Sequence, residues 1–267
     1  MLHFCVPRYE LKSYISKIWI YESEIGRMPD NNLIAPNAKP KIIIPYLNSI
    51  TTTDSKNSRG CKQGDIYFIG VRDVPVLLTT PRAKTGSIGI ELTTAGAYRF
   101  SNIPMREFAN DLFSFSDCFG QEGTGLRERL SEIENPYGKV DCVQEFLLKQ
   151  LIKQNRSNSI VDYSINLISQ KHGLLKIKEL ERKTGYSRRY LDLLFRDYLG
   201  ISPKTLSTIV RFQRFYRVLA NNALSLPKND IYEFYYDEAH FIKEFKRYTG
   251  YSPSRFANLS NEFGKHF

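Results

Sequence analysis

Histidine is scarce where a metal would need it. The four in this 267-residue chain are His3, His172, His240 and His266, so residues 4–171 contain none. An imidazole-held metal inside the N-terminal half therefore lacks its ligands. Cysteine is as sparse: Cys5, Cys61, Cys118 and Cys142 lie far apart, with no C-x-x-C spacing. They read as reduced thiols, not as a disulfide framework or a zinc site. No apolar run approaches the roughly eighteen residues of a membrane span, and the best short one, IIIPYL, is broken by Pro45. The N-terminal MLHFCVPRYELKSYISK scatters acid and base and has no secretory apolar core, so a cytoplasmic protein is expected. Glycine-rich GQEGTG at 120–125 lacks the Lys-Ser/Thr that follows a phosphate loop, and reads as a loop between helices. Nothing here marks a metal, a cofactor or a catalytic constellation, and an enzyme is not expected.

What is present is ordinary in bulk and uneven in detail. The chain is 42% hydrophobic and 25% charged, as in soluble globular proteins, and long enough for two domains with their own cores. Its net charge of +10 is not shared equally: residues 1–155 hold 19 Lys+Arg against 17 Asp+Glu, and residues 156–267 hold 19 against 11. Such asymmetry suggests a polyanion-binding half joined to a near-neutral one. KIWIYES, PKIIIPYLN, GDIYFIG, VPVLLTT and TGSIGIELT read as strands of a small barrel or sandwich. TTTDSKNSRGCKQG (51–64) reads as a mobile hairpin loop. From about Ala95 the period becomes helical, in REFANDLFSF, GLRERLSEI and VDCVQEFLLKQLI. The expected class is α+β: a β-rich domain with trailing helices over 1–153, a polar linker QNRSNS at 154–159, and an all-α domain over 160–267.

The all-α part says one thing twice. TGYSRRYLDLLFRDYLGISP (184–203) and FYYDEAHFIKEFKRYTGYSP (234–253) align at an offset of fifty, matching Tyr186 with Tyr236, Phe195 with Phe245, Tyr198 with Tyr248 and Gly200 with Gly250. Each copy of such a repeat is usually one supersecondary unit. In the first, Gly185 suits a left-handed helix end, Ser187 an N-cap, and Arg188–Leu199 a helix closed by Gly200. Leu191, Leu194, Phe195 and Tyr198 share the buried stripe, leaving Arg188, Arg189, Asp192, Leu193 and Arg196 outside it. Ser202–Pro203 then opens a connecting helix of roughly nineteen residues, about 28 Å long. Helix, glycine turn and capped basic helix make a helix-turn-helix, which lays its second helix in the DNA major groove. Two units, at about 174–200 and 228–250, would meet successive grooves ~34 Å apart.

On GYSRRYLDLLFRDYLGISP, RFQRFYRVL and YYDEAHFIKEFKRYTGYSP, residues 174–259 resemble the DNA-binding domain of AraC/XylS-type transcription regulators. GDIYFIGVRDVP and SIGIELTTAGAYRF resemble, more loosely, the β-rich sensor coupled to it. The resemblance implies a bacterial regulator, an activator, with double-stranded DNA as partner. It adds RNA polymerase, a small-molecule effector and a homodimer through the N-terminal domain as further partners. It implies DNA contacts from Ser187, Arg188, Arg189, Asp192 and Arg196 in the first unit and from Glu238, Ala239, Ile242 and Lys243 in the second. Lys246, Arg247, Arg211, Arg214 and Arg217 are implied near phosphates, and His240 in packing or phosphate contact. Leu193 stands where the family often has a polar or basic reader, so a usual contact is either missing or replaced by contact with a thymine methyl. The second unit departs from the family: NDIYEFYYDEAHF is about two residues short, lacks the turn glycine, and sets Phe234 and Tyr235 in the turn, with Pro227 placed to start its helix. Backbone docking without base reading therefore stays open for that unit. Two other readings stay open too: a non-specific architectural binder, and a small-molecule-binding protein with a vestigial DNA-binding domain.

Overall fold

In strand order, β1 (Leu2–Cys5), β2 (Ile15–Ser23), β3 (Asn32–Ile34), β4 (Lys41–Leu47), β5 (Ile50–Thr53), β6 (Ser58–Cys61), β7 (Tyr67–Ile69), β8 (Val76–Thr79), β9 (Thr85–Leu92) and β10 (Leu112–Ser114) build two sheets. They come from a computed structural model, which describes residues 1–23, 32–81, 83–221, 228–259 and 266. One sheet runs β1-β2-β9-β4-β7-β10 and the other β3-β8-β5-β6. Strand β9 is buried along its whole length, which explains why SIGIEL reads as a nearly continuous apolar run and not as alternation. Its neighbour β4 is apolar on both faces for the same reason. Ile43 faces a cavity between the sheets, while Ile42 meets Phe119 and Leu147 on the helical side. Gly89 lies opposite Trp19 in the β2–β9 register, and a Cβ there would sit 1.9 Å from the indole. Pro45 cannot donate to the ladder, and the β4–β9 register slips between Pro45 and Leu47.

The helices follow in turn: α1 (Phe115–Glu132), α2 (Pro136–Gln154), α3 (Ser159–Gln170), α4 (Ile177–Thr184), α5 (Arg188–Leu199), α6 (Pro203–Ala220), α7 (Lys228–Phe234), α8 (Glu238–Thr249) and α9 (Pro253–Ala257). The α+β class holds, with a β-rich N-terminal part and helices after it. Three local expectations change. The threonine run is not loop but strand: β5 pairs with β6, and Asp54 closes their turn by accepting from Lys56 N and Asn57 N. REFANDLFSF is a short 3-10 turn (Met105–Phe108) followed by β10, because Asn110 takes a left-handed φ of 60° and the next residues complete the large sheet. GQEGTG lies inside α1, which kinks at Gly120 alone (φ 56°, ψ −133°). Pro227 lies outside the described residues. No helix among the described residues is long and apolar enough to cross a membrane.

The two halves share one buried apolar cluster, continuous from Leu11 to Phe256. Polar contacts reinforce it. Asn155, left-handed at φ 41°, ends α2, and Asn158 caps α3. Between them Arg156 donates to Ser101 O and Ile103 O at 3.3 Å and to Asp197 on α5 at 2.8 Å. Arg106 reaches Asp197 from the 3-10 turn at 2.9 Å. Tyr98 and Arg99 both hold Asp162 on α3, at 2.5 and 2.6 Å. Gln213 of α6 donates to Pro36 O at 2.7 Å.

Glu91 sits directly across from Lys41 in the β9–β4 register. Its carboxylate is 2% exposed and bound to Lys39 at 3.0 Å and Lys41 at 3.5 Å, with Asn37 donating at 2.8 Å. Burial alone would push its pKa up, but two ammoniums and these hydrogen bonds outweigh it and hold the carboxyl at about 2. Burial also pulls Lys41 down. The unfolded carboxyl titrates near 4.5. This contribution is therefore full above that pH and drains as pH falls toward 2. Glu91→Gln should cost about 3 kcal/mol at neutral pH, and urea unfolding across pH should show a shallower acid-side decline than in the wild type. A second prediction compares twin glycines. Gly200 and Gly250 end α5 and α8 at φ 80° and 79°, so alanine at either should cost ~1–2 kcal/mol of left-handed strain. At Gly200 the added Cβ would also meet Met105 O at 2.7 Å, whereas at Gly250 the space is open. Urea midpoints should fall further for Gly200→Ala than for Gly250→Ala.

Candidate nucleic-acid interface

Helix α4 stops at Gly185, whose φ of 76° lets its N–H return to Glu181 O at 2.8 Å. The next helix begins at once. Ser187 accepts from Tyr190 N at 3.4 Å, and the Glu181 carboxylate accepts from Arg188 N at 2.7 Å. A side chain of α4 thus caps α5, which sets the angle between them. Leu191, Phe195 and Leu199 turn inward, at 0–2% exposure. The outer face brings Arg188, Arg189, Asp192, Leu193 and Arg196 around one open depression. Arg188 and Asp192 form an i,i+4 pair at 3.8 Å, with the arginine side chain 65% and the aspartate 36% exposed. Such a pair contributes little and leaves the guanidinium available. Of the residues expected in the first unit, Arg188, Arg189, Asp192 and Arg196 are gathered on one side of α5, while Ser187 serves as the helix cap.

The second unit reaches the same end by another route. α8 ends at Gly250 as α5 ends at Gly200, and Ser252–Pro253 caps α9 as Ser202–Pro203 caps α6. The turn before α8 differs. It uses no residue at positive φ, so a glycine is not required. Phe234 and Tyr235 swing inward to 4% exposure and pack edge-on against Phe215 at 5.6 and 5.5 Å. Asp237, in extended backbone, caps α8 by accepting from His240 N at 2.7 Å. Glu238, Ala239, Ile242, Lys243, Lys246 and Arg247 then lie exposed on α8. His240 is exposed too, its ring edge-on to Tyr235 at 5.3 Å.

The four arginines expected at phosphates part company here. Arg211 is only 17% exposed and does not face outward. Its guanidinium binds both oxygens of Glu244, through Nε at 3.1 Å and through Nη2, and lies 4.6 Å over the Tyr235 ring. The Tyr235 hydroxyl donates to the same carboxylate at 2.7 Å; burial and that carboxylate keep the phenol protonated well above its usual range. Arg211 is a strut between α6 and α8, and the phosphate contact expected of it is corrected accordingly. Arg214 and Arg217 are exposed, Arg214 stacked 4.7 Å from the Phe234 ring. Arg247 is 58% exposed and touches Asp73 of the N-terminal part at 3.4 Å.

A second candidate site went unread in the sequence. The cavity between the sheets, about 90 Å³, is mostly apolar, with Trp19, Ile43 and Val76 among its walls. Lys39, Lys41 and Arg72 enter it, the lysines held by Glu91 and Arg72 by Asp54 at 3.0 Å. A glutamate inside the apolar SIGIELT was the available sign, since a buried carboxylate needs buried cations. Pro36 lines this cavity and also accepts from Gln213 of α6.

Removing Arg211 would strand Glu244, which is 8% exposed, and an uncompensated buried charge costs about 3–5 kcal/mol. Arg211→Ala should therefore show itself as a lower Tm, whereas Arg214→Ala should melt nearly as the wild type does.

Residues 180–258 match a helix-turn-helix domain of the AraC type, and residues 3–114 match a domain of unknown function, DUF6597. The F1 operon positive regulatory protein of Yersinia pestis is 30% identical over 106 residues, 40% of this chain and 35% of that protein. The Msm operon regulatory protein of Streptococcus mutans is 32% identical over 116 residues, 43% of this chain and 42% of that protein. The chain thus spans well under half the length of these curated relatives. Over nearly its whole length it shares a fold with ToxT of Vibrio cholerae: 14% identity, TM-score 0.51, covering 92% of this chain and 97% of that one. A ToxT structure bound to (E)-4-(8-methylnaphthalen-1-yl)but-3-enoic acid gives 13% identity and a TM-score of 0.51, covering 89% of this chain and 96% of that one. Through residues 180–258, the chain carries a helix-turn-helix domain.

Proposed function

We propose that the protein is a sequence-specific, DNA-binding transcription regulator working in the cytoplasm. The observation that carries this reading is the pair of capped helices α5 and α8. They end alike at Gly200 and Gly250, and each turns an exposed set of charged side chains away from the core. Between them runs α6, whose 18 residues span about 27 Å at ~1.5 Å per residue, close to the ~34 Å between successive major-groove faces. In α5, arginines can read guanine O6 and N7, and Asp192 can accept from cytosine N4. In α8, Glu238 and Lys243 are the counterpart readers, with Lys246 and Arg247 toward phosphates. His240 acts through packing. The relatives' names, a positive regulatory protein among them, favour activation of an operon. RNA polymerase and a second copy of this chain are carried as partners on the family resemblance.

The N-terminal domain is the regulatory half in this reading. ToxT, which shares the fold, has been crystallised with a naphthyl-butenoic acid, and here a mostly apolar cavity with cationic side chains offers space for a small effector. Pro36 links that cavity to Gln213 of α6. An effector favouring one position of the 35–37 segment would shift the helix that spaces the two recognition helices.

Selection of fragments from the source genome by the full chain, followed by salt titration of the best fragment, tests the proposal. A short enriched site is expected, with a log–log salt slope that falls by about 1 in Arg188→Ala and again in Arg196→Ala, at unchanged Tm. Two half-sites one turn apart would mean that α8 reads bases, and a single half-site that it only docks. A steep slope without enrichment would make the protein an architectural binder. Salt-insensitive behaviour without enrichment, repeated in cell extract to supply an effector, would overturn DNA binding.

A further inference from the structure

Leu193 is 60% exposed, on a helix whose other apolar side chains are mostly turned inward. A single leucine on a protein surface is ordinary; its position here is not. Arg189 stands one turn before it and Arg196 one turn after, at i−4 and i+3, so the three share one stripe of α5. Arg188 and Asp192 complete the rim of the same open depression. The isobutyl group therefore occupies the middle of a face that is otherwise three guanidiniums and a carboxylate. No core residue covers it, and it can form no hydrogen bond to a phosphate or to a purine edge. The one apolar group that the major groove of B-DNA presents is the C5 methyl of thymine. The second unit does not repeat this arrangement: fifty residues on, Lys243 stands in place of Leu193, and Ile242, 38% exposed, in place of Asp192. The two helices thus carry different readers on a common frame.

We propose that Leu193 is a specificity-determining residue of α5 that recognises the 5-methyl group of a thymine in the half-site, between bases or phosphates held by Arg189 and Arg196. This rests on the reading of the chain as a sequence-specific DNA binder and adds one base identity to it.

Deoxyuridine isolates the methyl group, because it keeps every hydrogen-bonding edge of thymine. In the enriched duplex, each thymine is replaced singly by deoxyuridine, and the Kd of the full-length protein is measured at one fixed salt concentration. For the wild type, one thymine should lose about fourfold in affinity on replacement, the worth of burying one methyl at ~0.8 kcal/mol. Leu193→Ala should bind the thymine and deoxyuridine duplexes about equally, near the level of the wild type on deoxyuridine. Leu193→Met, which keeps an aliphatic side chain, should retain the discrimination. Matching thermal melts of the variants exclude a folding effect. Indifference of the wild type to deoxyuridine at every position overturns the proposal, as does a penalty that persists in Leu193→Ala. Failure to enrich any site overturns the regulator reading and takes this one with it.

Discussion

Arg211 and Glu244 hold α8 to the connecting helix α6, and the geometry of the C-terminal part depends on that bond. Both are charged and nearly out of water, an arrangement that is costly unless every lone pair and proton finds a partner. Here Glu244 takes two guanidinium donors and the Tyr235 hydroxyl, and the guanidinium also covers the Tyr235 ring. Tyr235 is the residue that makes the turn. With no glycine available, the chain reverses direction by swinging two rings inward, and the buried carboxylate gives the phenol a reason to stay there. Around this centre Phe212 meets Phe245 and Tyr248 at 5.5 and 4.9 Å, and Tyr216 meets Phe256 at 5.3 Å. The shortened unit is stiffened by aromatic packing where a longer one would use a flexible turn.

The same helix couples the halves. Gln213 lies two residues after Arg211 and is buried against the opposite partner, donating its amide to Pro36 O. Among the described residues, its carbonyl oxygen has no hydrogen-bond partner. A buried acceptor without a donor carries a cost of about 1–3 kcal/mol, so this contact is held by the surrounding packing and is sensitive to any movement of the 35–37 segment. The Glu91 cluster stands at the other end of that segment, through Asn37. Cavity, segment and connecting helix are thus joined by hydrogen bonds to groups with few alternatives.

Much of this was legible in order along the chain. Gly185, Ser187, Gly200 and Ser202–Pro203 announce helix ends because left-handed backbone and capping hydroxyls are local requirements, and every one of them occurs where expected. The five main strands were legible from β-branched and aromatic runs. Local periodicity failed where distant partners decide. REFANDLFSF has helical spacing, yet Leu112–Ser114 pairs with β7, a choice made by a sheet edge more than forty residues away. Arg211 has the spacing of a surface arginine, and only a carboxylate 33 residues on makes it a strut. The shared outer face of Arg188, Arg189, Asp192 and Arg196 on α5 was legible because a helix face needs no long-range information.

Asp197 and Arg247 show how far the repeat extends. They occupy the same place in the two units, fifty residues apart, and both touch the N-terminal part, with opposite charge. Asp197 is held by Arg106 at 2.9 Å and Arg156 at 2.8 Å, the latter only 14% exposed. Arg247 meets Asp73 at 3.4 Å, 58% in solvent. A doubly bonded, partly buried carboxylate resists screening, while an exposed single pair is worth little at physiological salt. Helix α5 is therefore fastened to the N-terminal half and α8 is only lightly touched by it. Arg247 is moreover a cation that a phosphate could take from Asp73 at small cost. Asp197, being an anion on the inner side of α5, has nothing to offer DNA. The repeated position does one job twice, tying α5 and α8 to the N-terminal half. In the proposed regulator, this difference in strength would make the first unit follow that half and leave the second free to follow the groove.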